Sequence, residues 1–414
     1  MANPQSPNNR DETVIPRLEK NSLPHENNAD FVKAQHPAGP GGSCRLRRAA
    51  VAFMTEEFQA REPVPADNIF VTPGLASAMD ALAWSICDGG DSISIPQPLY
   101  NGFNFDTLNR SNARVIGVPY EGIEGYSNLE DLFHPVVNKM ALESVLRKAE
   151  DDGITVRALL VSKDFGAFSD GHQLQFISNE IYRCLRMRRS QPRSHSSLHC
   201  HLISATLFDS TLLRVLYGAS KDFGANGLRL GLVFTKNEGI IGAMSSISEY
   251  LQCAIFRIFS WSPHVLQDVW AAMLEDRTWM DNFMGRKTRL MAENYRIATS
   301  FFREHGIYFC ESNAGSFIWI DLRHLLLGMP ITPQSGYRQL RVTLPDTRLY
   351  EQRELRIIDI CAENGIMIAP GGVYMPEELG WFRVTFTVRK KALEEGLKRL
   401  LRPIKEAEMG TCGN

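Results

Sequence analysis

The stretch Ser220-Lys-Asp-Phe-Gly-Ala-Asn-Gly-Leu-Arg-Leu-Gly231 is the most informative part of the sequence. It lies between two apolar runs of strand length, at 213–217 and 230–234, and neither run has the alternating polar face of a half-exposed strand. Its three glycines, at positions 224, 227 and 231, allow sharp turns and a close approach of backbone. The stretch is therefore predicted to be a tight connection between two buried strands of an α/β domain.

The same stretch carries two side chains whose chemistry suits a ligand. Lys221 stands at the end of a predicted strand, where ligands collect in α/β domains, and its amine can form an imine with an aldehyde. Arg229 follows eight residues later, and a guanidinium suits a phosphate. An exposed lysine on a turn is the competing interpretation. The first five residues recur as Ser162-Lys-Asp-Phe-Gly166, but without the later glycines and arginine, so Lys163 is the poorer candidate.

Composition and charge exclude several classes of protein. The 414 residues are 44% apolar and 22% charged, and the formal net charge is −2, so neither nucleic acid nor a membrane surface is expected as a partner. No run of about 18 apolar residues is present, and the N-terminus lacks the apolar segment of a secretory signal. The eight cysteines form no C-x-x-C pair, so we expect free thiols, a cytoplasmic location and no metal site.

Strand-like and helical patterns alternate along most of the chain, which predicts an α/β fold with a mostly parallel, buried sheet. Apolar runs of strand length occupy 68–72, 92–95, 114–118, 156–161, 175–178, 213–217 and 230–234. Long helices are predicted over about 240–305, followed by a smaller α+β region. The predicted domains are an extended or disordered N-terminal arm (1–42), a large domain (43–265), a small C-terminal domain (266–405) and a tail (406–414).

The full 220–231 segment resembles the active-site segment of the class I/II aminotransferases, which depend on pyridoxal 5'-phosphate, and most closely that of the 1-aminocyclopropane-1-carboxylate (ACC) synthase branch. The resemblance implies fold type I, with a large cofactor-binding domain that has helices on both faces of its sheet and a small C-terminal domain. It places the cofactor's Schiff base on Lys221 and a phosphate contact on Arg229. It also implies an amino-acid substrate and a homodimer.

Three further segments extend the resemblance over the chain. Thr72-Pro-Gly-Leu-Ala-Ser77 matches the phosphate loop of the family, so the backbone N–H groups of Leu75 and Ala76 are expected to face the phosphate. Pro96-Gln-Pro-Leu-Tyr100 matches the segment whose aromatic ring stacks on the cofactor, which points to Tyr100; a core tyrosine is the alternative. Gly380-Trp-Phe-Arg-Val-Thr-Phe386 puts Arg383 on the arginine that holds the substrate carboxylate; the alternative is a strand arginine paired with a surface acid.

The chain departs from the family in ways that bear on catalysis. Tyr182 matches the tyrosine that binds the cofactor's phenolic oxygen, but Asn179 replaces the acid that keeps the pyridine nitrogen protonated. Glu180 is adjacent, yet neighbouring residues of a strand point to opposite faces. A segment of about one helix is missing after residue 162, and Gly218 replaces a hydroxyl residue that binds phosphate. The N-terminal arm of the family is not recognisable, and the tyrosine expected there aligns with His36.

The resemblance therefore predicts an aminotransferase-like enzyme that acts on an amino acid, in secondary metabolism. A C–S lyase or an ACC synthase-like lyase is the alternative, and the missing arm argues against true ACC synthesis. A weakened or inactive member of the family is the third hypothesis, because the groups that tune the cofactor ring are incomplete. The sequence does not define the pocket for the substrate side chain.

Overall fold

The computed structural model describes residues 41–58, 64–127, 129–161, 166–184, 209–249, 262–312, 314–327, 347–374 and 379–411. The predicted N-terminal arm lies outside these residues except for its last two positions. The second Ser-Lys-Asp-Phe-Gly copy, which contains Lys163, also lies outside them except for its final glycine. Helices and strands are numbered below within the described part of the chain.

A seven-stranded sheet, in the order β1-β7-β6-β5-β4-β2-β3, forms the centre of the molecule. Its strands are β1 Ile69–Thr72, β2 Ser92–Pro96, β3 Arg114–Val118, β4 Val156–Val161, β5 Gln175–Asn179, β6 Leu213–Gly218 and β7 Gly231–Thr235. Strands β2 to β6 pair in parallel, whereas β7 runs antiparallel to both of its neighbours. The predicted mostly parallel α/β sheet is confirmed.

A second sheet, of three antiparallel strands, lies in the C-terminal part. Its strands are β8 Phe317–Asp321, β9 Ala369–Pro370 and β10 Trp381–Thr385, in the order β8-β10-β9. The predicted smaller α+β region is therefore also confirmed. The exact domain boundaries remain a prediction.

Twelve α-helices accompany the two sheets in the described ranges. They are α1 Cys44–Glu57, α2 Leu75–Ile86, α3 Gly102–Ser111, α4 Pro135–Asp151, α5 Gly166–Gly171, α6 Ala219–Asp222, α7 Glu238–Glu249, α8 His264–Glu275, α9 Arg277–Glu304, α10 Arg323–Leu327, α11 Thr347–Glu363 and α12 Lys390–Thr411. The long-helix region predicted over about 240–305 corresponds to α7, α8 and α9.

Apolar side chains form three clusters that explain the layering. The largest packs α1, α4 and α8 against one face of the central sheet, and another packs α2 and α7 against the opposite face. The third fills the small domain between its sheet and α11 and α12. Strands buried on both faces by helices read as continuous apolar runs, which is why the sequence revealed them.

Helix α9 belongs to two of these clusters. Its first half contributes Met280, Phe283 and Met284 to the large-domain cluster, and its second half contributes Met291 and Phe302 to the small-domain cluster. A helix of 28 residues is about 42 Å long. It is thus the continuous element that joins the two parts of the molecule.

Neither a helix with the length and apolarity needed to cross a membrane nor a group of three or more potential metal ligands is found among the described residues.

Candidate active site

The ends of β5 and β6 bring the first predicted site residues together. These strands are parallel neighbours, with Asn179 paired to Leu216, so the connections that follow them leave the sheet at the same edge. Tyr182 lies in the turn after β5, and Lys221 lies in the one-turn helix α6 after β6. The Lys221 Nζ atom is 5.9 Å from the centre of the Tyr182 ring.

Arg383 reaches this edge from the other sheet. It lies on β10, and its guanidinium carbon is 4.0 Å from the centre of the Phe317 ring and 4.5 Å from that of Tyr374. The Phe317 ring in turn meets the Tyr182 ring edge-on, with centroids 6.3 Å apart. The two aromatic rings beside Arg383 therefore link it to the turn that follows β5.

The Arg383 guanidinium retains binding capacity. Its Nε atom is buried and has no hydrogen-bond partner, and no carboxylate among the described residues is paired with it. The alternative of an arginine paired with a surface acid therefore has no support in the described part of the chain. The Arg383 side chain is half-buried, and a buried donor atom without a partner is costly unless a ligand satisfies it.

Burial and charge perturb the two titratable groups beside Arg383. The pKa of Lys221 is lowered, first by desolvation and second by the positive charge of Arg383. The Lys221 side chain as a whole is exposed, but the environment that matters is that of its amine, which lies against Tyr182. Burial raises the pKa of Tyr182 to about 12, although Arg383 opposes the rise. Both shifts favour the neutral forms of these groups.

Arg229 and helix α2 form a second positive region. Arg229 has a left-handed backbone, with φ +53°, and its Nη1 donates to the Asn226 carbonyl at 3.1 Å. Its guanidinium lies against Gly74, the residue before α2, and a Cβ atom built on Gly74 would be 3.0 Å from the guanidinium carbon. Leu75 and Ala76 are the first two residues of α2, so their N–H groups have no partner within the helix.

Tyr100 occupies an open position, unlike Tyr182 and Phe317. Its side chain is 60% exposed and meets the Phe103 ring edge-on, with centroids 5.4 Å apart. The alternative of a core tyrosine is therefore wrong. The segment before it contacts the small domain, because the Leu99 N–H donates to the Tyr374 carbonyl at 3.0 Å.

Asn179 and Glu180 lie on different faces of the strand end. The side-chain oxygen of Asn179 accepts a hydrogen bond from the Ile181 N–H at 3.3 Å. Glu180 is buried and accepts one from the Ser178 hydroxyl at 2.9 Å. Because alternate residues share a face, Glu180 points away from the face that carries Asn179.

Sequence reasoning missed the two rings that hold Arg383. Phe317 begins β8, and Tyr374 follows a short turn that starts at Gly371. Gly371 has no room for a side chain, since a Cβ atom there would clash with the Trp381 backbone. The double glycine before Tyr374 was the available signal for this close approach.

The residues present fit the phosphate and the aldehyde of pyridoxal phosphate. Because Gly74 has no side chain, the Arg229 guanidinium lies beside the residue that precedes α2, where N–H groups and the helix dipole suit a phosphate. The Arg383 Nε atom has no hydrogen-bond partner, and the Arg383 charge acts on Lys221. Lys221, Arg229 and Arg383 are therefore the residues that would hold the cofactor and the carboxylate of an amino acid.

Comparison with known proteins gives one family. Residues 163–400 match the model described as aminotransferase class I and II. The ACC synthase-like protein 1 of Arabidopsis thaliana is 26% identical, over 90% of this chain and 70% of its own length. The ACC synthase of Vigna radiata is 26% identical, over 83% and 88%. A Mus musculus protein named "probable inactive" ACC synthase-like protein 2 is also 26% identical, over 87% and 59%.

Solved structures show the same fold. A Thermus thermophilus aspartate aminotransferase variant superimposes with a TM-score of 0.68 at 18% identity, over 95% of this chain and 92% of its own. An archaeal alanine:glyoxylate aminotransferase superimposes with a TM-score of 0.71 at 16% identity, over 97% and 89%. At such identities the likeness concerns the fold alone.

Proposed function

Because the chain belongs to the class I and II aminotransferase family, whose cofactor is pyridoxal phosphate, we propose that it is an aminotransferase-like enzyme that acts on an amino acid. The observation that carries the proposal is the meeting of Lys221, Tyr182 and Arg383 at one edge of the central sheet. The amine, the phenol and the guanidinium come from three separate elements. This arrangement argues against the competing interpretation of Lys221 as an ordinary surface lysine.

Arg229 and the N-terminus of α2 hold the phosphate in this proposal, with the N–H groups of Leu75 and Ala76 as donors. Tyr100 covers one face of the cofactor ring, and Tyr182 donates to its phenolic oxygen. Bound pyridoxal phosphate supplies an electron sink that stabilises negative charge on the α-carbon of an amino acid.

Two side chains act on the substrate. Arg383 binds the α-carboxylate and so fixes the orientation of the α-carbon. Lys221 accepts the α-proton, and its lowered pKa keeps a larger fraction of its amine neutral near pH 7 than an ordinary lysine would have. The same Arg383 therefore positions the substrate and favours the basic form of Lys221.

A lyase is the second candidate, because several relatives are named as ACC synthases. Elimination with ring closure, β-elimination of a thiol and transamination all begin with loss of the same α-proton. Product analysis separates them. Transamination yields a 2-oxo acid, ACC synthesis yields the cyclopropane amino acid, and C–S lyase activity yields a free thiol.

A weakened enzyme is the third candidate, and Asn179 favours it. The Asn179 side chain is a neutral amide, and its oxygen accepts from the Ile181 N–H. A neutral donor does not stabilise a pyridinium as a carboxylate does, and the electron sink weakens. One relative carries the word inactive in its name.

A pyridoxal phosphate titration tests the proposal. We expect saturable binding with a new visible absorbance band, and loss of the band in Lys221→Ala. Lys236→Ala, which changes a lysine on the loop after β7, is the control and should keep it. Saturable binding together with a 2-oxo acid product would support the aminotransferase. A wild-type protein that gains no band at millimolar cofactor would refute the proposal.

The remaining parts of the proposal rest on family likeness and on composition. The chain is proposed to act as a homodimer, in secondary metabolism and in the cytoplasm.

A further inference from the structure

A buried polar cluster lies behind the lysine turn. Asp222, the neighbour of Lys221, is fully buried, and Lys287 of helix α9 is 7% exposed. The Lys287 Nζ is 3.8 Å from Asp222 Oδ1 and also donates a short hydrogen bond to the Asp222 backbone carbonyl. The Lys287 amine thus forms an ion pair with the side chain of Asp222 and a hydrogen bond with its backbone.

The other carboxylate oxygen of Asp222 joins the lysine turn to the tyrosine turn. Its Oδ2 atom accepts from the Cys184 N–H at 2.8 Å and from the Tyr217 hydroxyl at 3.0 Å. Cys184 lies two residues after Tyr182. One carboxylate therefore ties together the turns that carry Lys221 and Tyr182.

Lys287 lies on α9 at the point where the helix passes from the large domain to the small one. Lys287 stands between Met284, which packs in the large-domain cluster, and Met291, which packs in the small-domain cluster. The rings of Phe283 and Phe223 stack beside it, with centroids 6.0 Å apart. A charged pair in such an apolar setting is costly to desolvate, and hydrophobic residues of similar size are often at least as stable.

We propose that Lys287 is a positioning residue, which, through Asp222, fixes Lys221 relative to Tyr182 and links the lysine turn to the helix that joins the two domains. The inference rests on the proposed function, because it concerns the attachment of pyridoxal phosphate to Lys221. Burial raises the pKa of Asp222, while Lys287 and the two hydrogen-bond donors oppose that rise. The Lys287 charge thus favours the carboxylate form of Asp222, whose Oδ2 atom accepts from one N–H and one O–H group.

The test measures how fast the full-length protein attaches pyridoxal phosphate, by trapping with borohydride at timed intervals and quantifying the modified Lys221 peptide by mass spectrometry. Lys287→Met keeps the length of the side chain and removes its charge and its donors. We expect attachment about tenfold slower, since small misplacements of a reacting group cost at least that much. Lys287→Arg should restore the rate to within about threefold of the wild type, because it retains the donors.

Two further variants separate positioning from simple loss of stability. Met284→Ala weakens the same helix one turn earlier without touching a charge, and it should attach the cofactor at the wild-type rate. The double variant Asp222→Asn/Lys287→Met leaves no unpaired buried charge, so it should fold, yet it still lacks the donor to the backbone carbonyl and should be slow.

The outcomes are distinct. A wild-type rate in Lys287→Met or in the double variant would overturn the inference, as would an equal slowing in Met284→Ala or a failure of Lys287→Arg to restore the rate. No attachment by the wild-type protein would instead overturn the proposed function, and the inference with it.

Discussion

Lys221 and Arg383 are two cations close enough for one to change the pKa of the other. Desolvation and the charge of Arg383 act in the same direction, and both lower the pKa of the lysine. Aromatic rings, and no carboxylate of the described residues, surround the arginine. Its field on Lys221 is therefore not cancelled by a paired acid.

Removing the Arg383 charge should raise the pKa of Lys221, because a nearby cation disfavours the ammonium form. In Arg383→Leu, the pH profile of pyridoxal phosphate attachment to Lys221 is expected to move to higher pH, with slower attachment near pH 7. Arg383→Lys retains the charge and should leave the midpoint near that of the wild type. An unchanged midpoint in Arg383→Leu would contradict the proposed electrostatic contact.

Restoring an acid at position 179 should strengthen the electron sink. Asn179→Asp is expected to raise turnover about tenfold or more, by stabilising a protonated ring nitrogen, which is a charge-assisted contact. Turnover with a common set of amino acids is the measurement, and Glu180→Gln is the control on the opposite face. If Asn179→Asp gives no gain, the account of the ring nitrogen is wrong.

For single residues, sequence motifs predicted the candidate reactive groups but not the side chains that surround them. Each of the three candidate residues lies in a short motif whose residue spacing can be recognised in one sequence; these residues are Lys221, Arg229 and Arg383. The contact between Asp222 and Lys287 spans 65 residues, and no local pattern indicates that two such distant side chains meet. The same reason explains why Phe317 and Tyr374 were missed.

Among the elements, the start of α2 is the proposed phosphate-binding end of the site. Gly74 has φ +90°, a conformation that favours glycine, and the Arg229 guanidinium occupies the space where a side chain would lie. Position 74 therefore needs glycine for two reasons, the positive φ and the space taken by the Arg229 guanidinium.

Gly74→Ala should therefore weaken pyridoxal phosphate binding about tenfold, because it displaces Arg229 from the helix N-terminus. Gly90→Ala is the matched control, since Gly90 has φ +98° with nothing within 4 Å of a built Cβ atom. Both variants should lose stability of about 1–3 kcal/mol from backbone strain. Equilibrium titration of the two proteins is the measurement, and equal affinities would contradict the proposed phosphate site.

The strands were predictable, but one strand direction was not. Apolar runs placed β1 to β7 within about one residue of their observed bounds, because full burial leaves a continuous apolar signal. Strand β7 runs antiparallel to β6, and a short Gly-rich connection through α6 replaces a crossover helix. A strand buried on both faces has the same pattern in either direction, so the sequence did not reveal the reversal.

In the whole molecule, two features connect the large and small sheets. One is helix α9, which packs in both domains, and the other is the hydrogen bond between Leu99 and Tyr374. Arg383 belongs to the small sheet and Lys221 to the large one, so the site exists only while both parts fold together. This dependence could not be read from motifs, which identify residues within each part separately.

The proposed homodimer predicts a solution mass of twice the chain mass of 46.6 kDa. Sedimentation equilibrium at micromolar concentration, with and without pyridoxal phosphate, measures this mass directly. A monomer that binds the cofactor and turns over substrate at full rate would contradict the dimer, without affecting the assignment of Lys221.

The central claim is that Lys221 is the residue to which pyridoxal phosphate becomes attached. The direct measurement is peptide mapping of protein that has been incubated with pyridoxal phosphate and reduced with borohydride. We expect one modified lysine, at position 221, in the peptide that contains Asp222 and Phe223. Modification at Lys163, in the second Ser-Lys-Asp-Phe-Gly copy, or a scatter over surface lysines at the level of a denatured control, would contradict it.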